Sequence, residues 1–305
     1  MASEPLLRLG TRRSPLAVAQ AEETRRRLCA AHGWEESAVE LIPVLASGDK
    51  VQDRPLADIG GKALWTKELD ACLAAGTIDA AVHSLKDVET WRPESLVLAA
   101  ILPRADKRDV LIGAASLSAL PEGAVIGTSA PRRAAQALHA RPDCRVVTFR
   151  GNVATRLRRL QLGEADATLL AAAGLDRLAH PEIGVALEEM LPAPAQGAVG
   201  VEVLAENRQV AAVVAAIGDP ATEACVSAER RLLEGLGGDC RSPVAALALL
   251  EDGAIHLRAE ILTGDGSECA RGEIRFPEGD AQAPLGLAAT LLGQASPALR
   301  ALFAG

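Results

Sequence analysis

The stretch LLRLGTRRSPLAVAQAEETRRRLCAA, residues 6–31, joins a short apolar strand to a helix and so sets the class of fold. Residues 6–9 predict the strand, Ser14 is a favourable N-cap, and Pro15 suits the first helical position. Arg12 and Ser14 then lie where the strand ends and the helix begins, which is the edge where open α/β sheets bind ligands. The stretch therefore predicts an α/β protein with a ligand site at that edge.

The composition is typical of a globular protein with more than one domain. The chain has 305 residues, of which 49% are apolar, so two or three hydrophobic cores are expected. An uninterrupted apolar window of about 18 residues is absent, and the N-terminal sequence lacks a signal-peptide pattern, so we expect neither a membrane protein nor a secreted one. Six cysteines without a CxxC pair, with only five histidines, favour a reducing cytoplasm and no metal site.

The formal net charge of −8 conceals one basic segment, because residues 110–163 contain eight arginines and two acidic residues. Such a segment in an acidic protein predicts an anionic ligand rather than nucleic acid. Aromatic residues make up only 2% of the chain, so base stacking has little support. A solvated charged surface is the alternative explanation of the segment.

Strands and helices are predicted to alternate over the first two thirds of the chain. Strands are expected at residues 39–45, 78–82, 96–102, 110–113, 124–126, 144–149, 166–171 and 199–203. A helix is expected from Lys62 to a cap at Gly76, and another after a cap at Asn152. Segments 103–109 and 191–198 are expected to cross between two domains.

Three successive strand ends in the basic segment carry arginine. Arg132 and Arg133 fall in the first turn of a helix, Arg150 and Arg156 flank the next turn, and Arg177 lies on a short helix after the third strand. Basic residues at a helix N-terminus oppose the helix dipole by about 0.3–1 kcal/mol each. An anion between Arg132 and Arg133 would offset that cost.

The last part of the chain is predicted to form a small α+β unit. Beyond a linker at Gly218 we expect a helix at 223–233, strands at 244–250 and 255–262, and a final helix at 285–302. Between the first helix and the first strand, the stretch GLGGDCRSP places Cys240 in a glycine-rich turn that a ligand could reach. A small apolar residue beneath a loop is the alternative interpretation of this cysteine.

Seven ordered motifs resemble those of the porphobilinogen deaminase family: TRRSPLA, GGKALWTKEL, AVHSLKDV, GTSAPRR, RGNVATRL, AQGAVGVE and GGDCRSP. The resemblance covers nearly the whole chain. It implies three domains, two α/β lobes similar to type II periplasmic binding proteins with the active site between them, and a small α+β domain carrying the cofactor cysteine. The domains are expected at residues 1–99 with 199–218, at 100–198, and at 219–305.

The resemblance also implies the chemistry. Cys240 would hold a dipyrromethane cofactor through a thioether, since a thiolate can attack an electrophilic methylene. Four porphobilinogen molecules would then be added with loss of ammonia, and hydrolysis would release hydroxymethylbilane for tetrapyrrole synthesis. Asp87 is the implied catalytic carboxylate, which would stabilise cationic pyrrole nitrogens and assist proton transfer. A cytoplasmic monomer without metal, nucleic-acid or membrane partners is implied.

The other implied site residues suit a ligand rich in carboxylates, because each porphobilinogen carries an acetate and a propionate that arginine can bind in a bidentate manner. The implied cofactor contacts are Ser84, Lys86, Asp87, Thr128, Ser129, Arg132, Arg133 and Gly151. The implied substrate contacts are Arg12, Ser14, Arg150, Arg156, Arg177 and Gln196. Lys62 and Trp65 are expected near a loop at 46–60, and His83 is expected to be structural.

The sequence departs from the family pattern at two places. Two other functions are also compatible with parts of the sequence. Asp239 stands where many members have glycine, and Ala130 with Pro131 replaces a Ser-Leu pair. A non-catalytic, two-lobed binding protein for a small carboxylate would explain the arginines, but not Asp87 or a third domain presenting Cys240. A nucleic-acid-binding function would explain the basic segment alone.

Overall fold

The computed structural model describes residues 4–45, 65–239 and 241–303. The strands are β1 (Leu7–Arg12), β2 (Val39–Val44), β3 (Ala80–Ser84), β4 (Leu96–Ile101), β5 (Asp109–Ile112), β6 (Val125–Gly127), β7 (Arg145–Val147), β8 (Ala167–Ala171), β9 (Val185–Leu187), β10 (Val199–Leu204), β11 (Val244–Glu251), β12 (Ala254–Leu262) and β13 (Cys269–Pro277). The helices are α1 (Pro15–His32), α2 (Lys67–Ala74), α3 (Pro131–Ala140), α4 (Val153–Gln161), α5 (Ala172–Arg177), α6 (Arg208–Ala215), α7 (Pro220–Leu236), α8 (Ala283–Gln294) and α9 (Pro297–Ala301).

One compact unit contains the described parts of residues 1–51, 61–105 and 197–223. Its sheet has the strand order β2-β1-β3-β10-β4. Strand β1 is parallel to β2 and β3, whereas β10 is antiparallel to β3 and β4. Because β1 and β3 are parallel neighbours, the segments that follow them begin at the same edge of the sheet.

The other compact unit contains residues 106–196 and the described part of 224–305. Its larger sheet has the order β7-β6-β8-β5-β9, with β6 parallel to β7 and β8, and β5 antiparallel to β8 and β9. Both five-stranded sheets therefore have three parallel strands, then one antiparallel strand, and then an edge strand that is antiparallel to the fourth. The α/β class predicted for these parts of the chain is confirmed.

The same unit contains a second, smaller sheet, in which β11, β12 and β13 are antiparallel. Helices α7, α8 and α9 cover it, and a core that includes Leu232, Leu257, Leu291 and Phe303 fills the space between them. The expected α+β character of this last part is confirmed. The three-domain boundaries stay a prediction, since the packing groups residues 106–196 with 224–305.

The two helix starts predicted from capping residues are confirmed. Ser14 Oγ accepts a hydrogen bond from the backbone nitrogen of Ala17 at 3.3 Å, with Pro15 at the first helical position. Asn152 Oδ1 accepts one from the nitrogen of Thr155 at 2.9 Å. These caps satisfy backbone donors at the start of α1 and α4, at the edges where the predicted site residues lie.

Helix α2 differs from the prediction at both ends. Lys62 lies outside the described residues, and Thr66 directly precedes the helix without capping it, because its hydroxyl donates to Glu89 Oε2 at 2.9 Å. The C-cap is Ala75, and Gly76 follows it with a φ of 65°. The glycine therefore supplies the left-handed residue just after the helix.

The C-terminal third contains more elements than the sequence predicted. Strand β13 was not expected, although its segment CARGEIRFP alternates exposed charged residues with less exposed ones, as a strand with one solvated face does. Helix α6 was also not expected, and α7 is longer than the predicted 223–233. The single final helix predicted at 285–302 is two helices, since Ser296 caps a new start at Pro297.

A buried ion cluster ties β5 to α3. Asp109, at the start of β5, is fully buried, and its two carboxylate oxygens each lie 2.7 Å from a guanidinium nitrogen, one of Arg132 and one of Arg133. Burial raises the pKa of Asp109, but the charges and hydrogen bonds of the two arginines outweigh burial and hold that pKa well below its usual range. Asp109 is therefore ionised in the folded protein.

We expect Asp109→Asn to destabilise the protein by about 3–5 kcal/mol, because it leaves two buried guanidinium groups without a full counter-charge. The matched control is Asp143→Asn, which removes a carboxylate 2.7 Å from Arg141 at a site where both side chains are partly exposed. The control should cause only a small change. Urea unfolding at neutral pH measures both, and equal losses would show that burial does not determine the strength of the Asp109 cluster.

Candidate active site

The carboxyl ends of β1 and β3 form a pocket in the first unit. Arg12 ends β1, Ser14 caps the helix that follows, and Ser84 ends β3. Asp87 closes the 3-10 turn Leu85–Asp87, and all four side chains line the pocket. The structure thus brings together four residues that the sequence placed in the site.

Asp87 is held on a short, anchored turn. The side chain of Leu85 is buried at 1% exposure, and its backbone nitrogen donates to the carbonyl of Ala198 at 3.1 Å. Lys86 and Asp87 follow it and are both half-buried. Because the turn is fixed at Leu85, the Asp87 carboxylate is presented to the pocket while still accessible to solvent.

Two further side chains shape this pocket, and Gln20 was missed by the sequence. Gln20 is buried on α1, and its amide nitrogen lies 2.7 Å from the hydroxyl oxygen of Ser84. Trp65 lies beneath Arg12, whose guanidinium carbon is 4.0 Å from the ring centroid, a cation–π contact. A polar residue on the sheet-facing side of an amphipathic helix was the signal that could have identified Gln20.

A buried charge network supports the pocket from behind. His83, which lines the pocket, has Nε2 3.1 Å from Glu202 Oε2 on β10, and its structural role stays a prediction. Arg92 donates to Glu202 at 2.9 and 2.8 Å and to Asp70 at 2.6 Å. Burial raises the pKa of Glu202, yet hydrogen bonds from His83 and Arg92 outweigh it and lower that pKa to about 2. The low pKa favours the ionised form of Glu202 behind the pocket.

The parallel strands β6, β7 and β8 place a second set of predicted residues at one edge of the larger sheet of the second unit. Thr128 and Ser129 follow β6, Arg150 and Gly151 follow β7 after a short connection, and Arg177 ends α5 after β8. Thr128 and Arg150 are buried at 3% and 8% exposure. The three strand ends predicted to carry arginine therefore share an edge.

Within this edge, Gly151 and Arg156 form one local structure. Gly151 has a φ of 101°, and a Cβ there would lie 2.7 Å from the Thr155 side chain, so only glycine fits. Arg156 Nε donates to the carbonyl of Gly151 at 3.0 Å, and its Nη2 lies 3.4 Å from Ser129 Oγ. The glycine turn thus orients Arg156 toward the end of β6.

Arg132, Arg133 and Gln196 are placed differently from the other predicted contacts, because all three converge on Asp109. The sequence predicted an anion between the two arginines, and the structure supplies one from the chain itself. Gln196 is fully buried, with Nε2 donating to Asp109 Oδ1 at 2.9 Å and to the carbonyl of Lys107 at 2.8 Å. Two guanidinium groups and one carboxylate leave the cluster with a net positive charge, and contacts of these residues with ligand stay a prediction.

Cys240 lies outside the described residues, but its neighbours are described. Asp239 accepts hydrogen bonds from the backbone nitrogen of Arg241 at 2.8 Å and from its side chain at 2.7 Å. The Asp239 nitrogen in turn donates to Ser242 Oγ at 3.0 Å. Burial raises the pKa of Asp239, but its hydrogen bonds with Arg241 prevail and lower it. The carboxylate that replaces the usual glycine therefore caps the loop.

Two kinds of site are not found in the part of the chain that is described. Residues 4–45, 65–239 and 241–303 hold no group of three or more histidine, cysteine, aspartate and glutamate side chains arranged to bind a metal ion. In the same ranges no single helix is long and apolar enough to span a membrane. Helices α6 and α7, which meet at a bend of 113°, have the length and composition only as a pair.

Known proteins resemble this chain over nearly its full length. The closely similar sequences include porphobilinogen deaminases of Sphingopyxis alaskensis, 54% identical over 98% of this chain and 96% of the relative, and of Paracoccus denitrificans, 49% identical over 91% and 90%. Similar solved structures include the Bordetella pertussis BvgS VFT2 domain, with 16% identity, a TM-score of 0.42 and coverage of 73% of this chain and 90% of that domain. The methionine-binding protein MetQ has 14% identity, a TM-score of 0.41 and coverage of 71% and 91%.

Two family models match. Residues 7–212 match the dipyrromethane cofactor-binding domain of porphobilinogen deaminase. Residues 223–293 match the C-terminal domain of porphobilinogen deaminase. Together the two matches include the residues of the Asp87 pocket, the arginine edge and the Cys240 loop. The chain therefore belongs to the porphobilinogen deaminase family.

Proposed function

We propose that this chain is a hydroxymethylbilane synthase, a transferase that condenses four porphobilinogen molecules head to tail with loss of ammonia and releases hydroxymethylbilane by hydrolysis. Besides membership of the family, the observation that supports this proposal is the Asp87 pocket. There one carboxylate lies with Arg12, Ser14 and Ser84 at a single sheet edge. The non-catalytic alternative is set aside, because it explains neither Asp87 in its motif nor a C-terminal domain that carries Cys240.

Asp87 is proposed as the catalytic residue. Loss of ammonia from porphobilinogen leaves a cationic azafulvene, and a fixed carboxylate stabilises such positive charge better than water does. The same carboxylate can take a proton from a pyrrole nitrogen and return it. The 3-10 turn anchored by Leu85 supports this role, because it holds Asp87 at the pocket without burying it.

The residues present fit a dipyrromethane cofactor attached at Cys240. Its two pyrrole units carry four carboxylates, and the second unit offers the net positive Asp109 cluster together with the buried Arg150. We propose that Ser84, Lys86, Asp87, Thr128, Ser129, Arg132, Arg133 and Gly151 hold this group. When bound, dipyrromethane supplies the nucleophilic pyrrole carbon to which the first substrate is joined.

Substrate carboxylates are assigned to a separate set of side chains. We propose that acetate and propionate groups are bound by Arg12, Ser14, Arg150, Arg156, Arg177 and Gln196. Arg12 is oriented by the Trp65 ring and Arg156 by the Gly151 carbonyl, so neither loses much conformational freedom when a carboxylate binds. We further propose a cytoplasmic monomer with three domains, at 1–99 with 199–218, 100–198 and 219–305.

The covalent cofactor gives the most direct test. Wild-type protein incubated with porphobilinogen should show an intact mass raised by one dipyrromethane, and Cys240→Ser should show none, because serine lacks the thiolate nucleophile. Cys72→Ser, at a half-buried position of α2, is the control and should keep the increment. An unmodified wild-type mass after incubation would refute the cofactor assignment.

Replacing the proposed catalytic carboxylate separates binding from chemistry. We expect Asp87→Asn to retain the cofactor mass but to lower kcat by about 100-fold or more, since a neutral amide neither stabilises the cation nor moves a proton. Asp79→Asn is the control, because it removes a carboxylate of the same unit that pairs with Arg8 instead of lining the pocket. Turnover of Asp87→Asn within a factor of a few of wild type would remove Asp87 from this role.

Loss of one arginine should interrupt chain growth. Arg150→Leu is expected to stall synthesis, so that protein with a fixed number of added pyrroles accumulates and is visible by native mass spectrometry. Arg158→Leu removes an exposed arginine on α4 and should leave the distribution of intermediates unchanged. Identical behaviour of the two variants would mean that Arg150 does not bind the growing chain.

A further inference from the structure

Glu260, a buried carboxylate of the three-stranded sheet, is not among the residues assigned above. It lies near the end of β12 with 5% of its surface exposed. Its Oε1 accepts a hydrogen bond from Gln136 Nε2 at 2.6 Å, and its Oε2 accepts one from the largely exposed Arg271 at 2.7 Å. A buried carboxylate bonded to a glutamine of another element requires an explanation beyond core packing.

The glutamine connects Glu260 to Arg132. Gln136 lies one turn after Arg132 on α3, and its Oε1 accepts from Arg132 Nη1 at 2.6 Å. Both carboxylate oxygens of Glu260 accept hydrogen bonds, and the one from Gln136 turns the NH2 group of that amide toward β12. The amide oxygen then faces Arg132. Glu260, together with the Leu191 carbonyl that accepts from the same Nε2, therefore selects which end of the Gln136 side chain the arginine meets.

Arg132 Nη1 donates to Gln136 Oε1 at 2.6 Å and to the Leu191 carbonyl at 2.9 Å, and it forms an ion pair with Asp109 Oδ2 at 2.7 Å. The Leu191 carbonyl also accepts from Gln136 Nε2 at 2.9 Å. The two acceptors of Nη1 and the nearby carboxylate together fix the orientation of the guanidinium group. If the Gln136 amide were reversed, its NH2 group would oppose the Nη1 hydrogens and the guanidinium would have to turn.

This chain of contacts lies at the end of the small sheet where the cysteine loop enters. Glu260 is paired with Ala245, two residues after Pro243 and therefore just beyond the GLGGDCRSP stretch. At the same end, His139 Nδ1 of α3 lies 2.9 Å from the carbonyl of Gly266. Gly266 has a φ of 71°, and a Cβ there would collide with the backbone of α3. Helix α3 is thus packed closely on this end of the sheet.

We propose that Glu260, acting through Gln136, is a positioning residue of the small sheet that fixes the Arg132 guanidinium on α3. The proposal rests on the role proposed above for Arg132 as a cofactor contact. It assigns to the small sheet a part in the chemistry besides carrying the tether. According to this proposal, Glu260 acts by orienting the Gln136 amide and not through its own charge.

The test compares Glu260→Met with Glu260→Gln in the full-length holo-protein. Methionine removes one of the two acceptors that hold the Gln136 NH2 group, so the amide loses its fixed orientation. We expect kcat to fall about tenfold from misplacement of the arginine, with KM for porphobilinogen changed less than twofold. Glutamine keeps an acceptor oxygen for Gln136 and should restore kcat to within twofold of wild type. Glu273→Met, at an exposed position of β13, is the control and should leave both constants unchanged.

Each outcome decides the proposal. A methionine variant with a lower melting temperature but wild-type kcat, measured well below melting, would reduce Glu260 to a structural residue. Equal impairment of the glutamine and methionine variants would overturn orientation in favour of charge. Adding Gln136→Met to Glu260→Met should cause no further loss of kcat, because both changes remove the same constraint on Arg132. Failure of the wild type to bind cofactor or turn over would instead count against the proposed function.

Discussion

The buried carboxylate of Asp109 is the interaction on which the second unit depends. It joins three segments that are distant in sequence: the start of β5, the first turn of α3 through Arg132 and Arg133, and the turn that contains Gln196. Two arginines in the first turn of a helix are unfavourable by themselves. The carboxylate of Asp109 lies between them, offsets this cost and connects the helix to the strand and the turn. The two arginines and Asp109 together carry one net positive charge.

The first unit also contains a buried carboxylate that is paired with basic side chains. Glu202 is buried on β10 and is held ionised by His83 and Arg92, so that an anion lies behind a pocket lined by Arg12 and Asp87. The two five-stranded sheets share one strand plan, and each has a buried carboxylate near the antiparallel strand that closes the parallel set. In each unit, a buried and paired carboxylate thus lies close to the sheet edge that carries the predicted site residues.

The sequence predicted what is local and failed where contacts are long-range. The caps at Ser14 and Asn152 follow from neighbours in sequence, and both were confirmed. Asp109 and Glu260 could not be found in this way. Asp109 meets Arg133 and Gln196, 24 and 87 residues away along the chain, and Glu260 meets Gln136, 124 residues away; no periodicity or motif encodes such pairings. Strand β13 was missed although its alternation is typical of a strand with one solvated face.

The arginines counted in the basic segment are therefore not equivalent as carriers of positive charge. Arg132 and Arg133 share Asp109, Arg141 pairs with Asp143, and Arg159 pairs with Glu164. A charge count treats all of these as available to a ligand, whereas each internal pair reduces the potential that a carboxylate-rich ligand would meet. At the strand ends, Arg150 and Arg156 follow β7, and Arg156 is oriented by the Gly151 carbonyl and by Ser129. In this fold the placement of a few arginines matters more than their number.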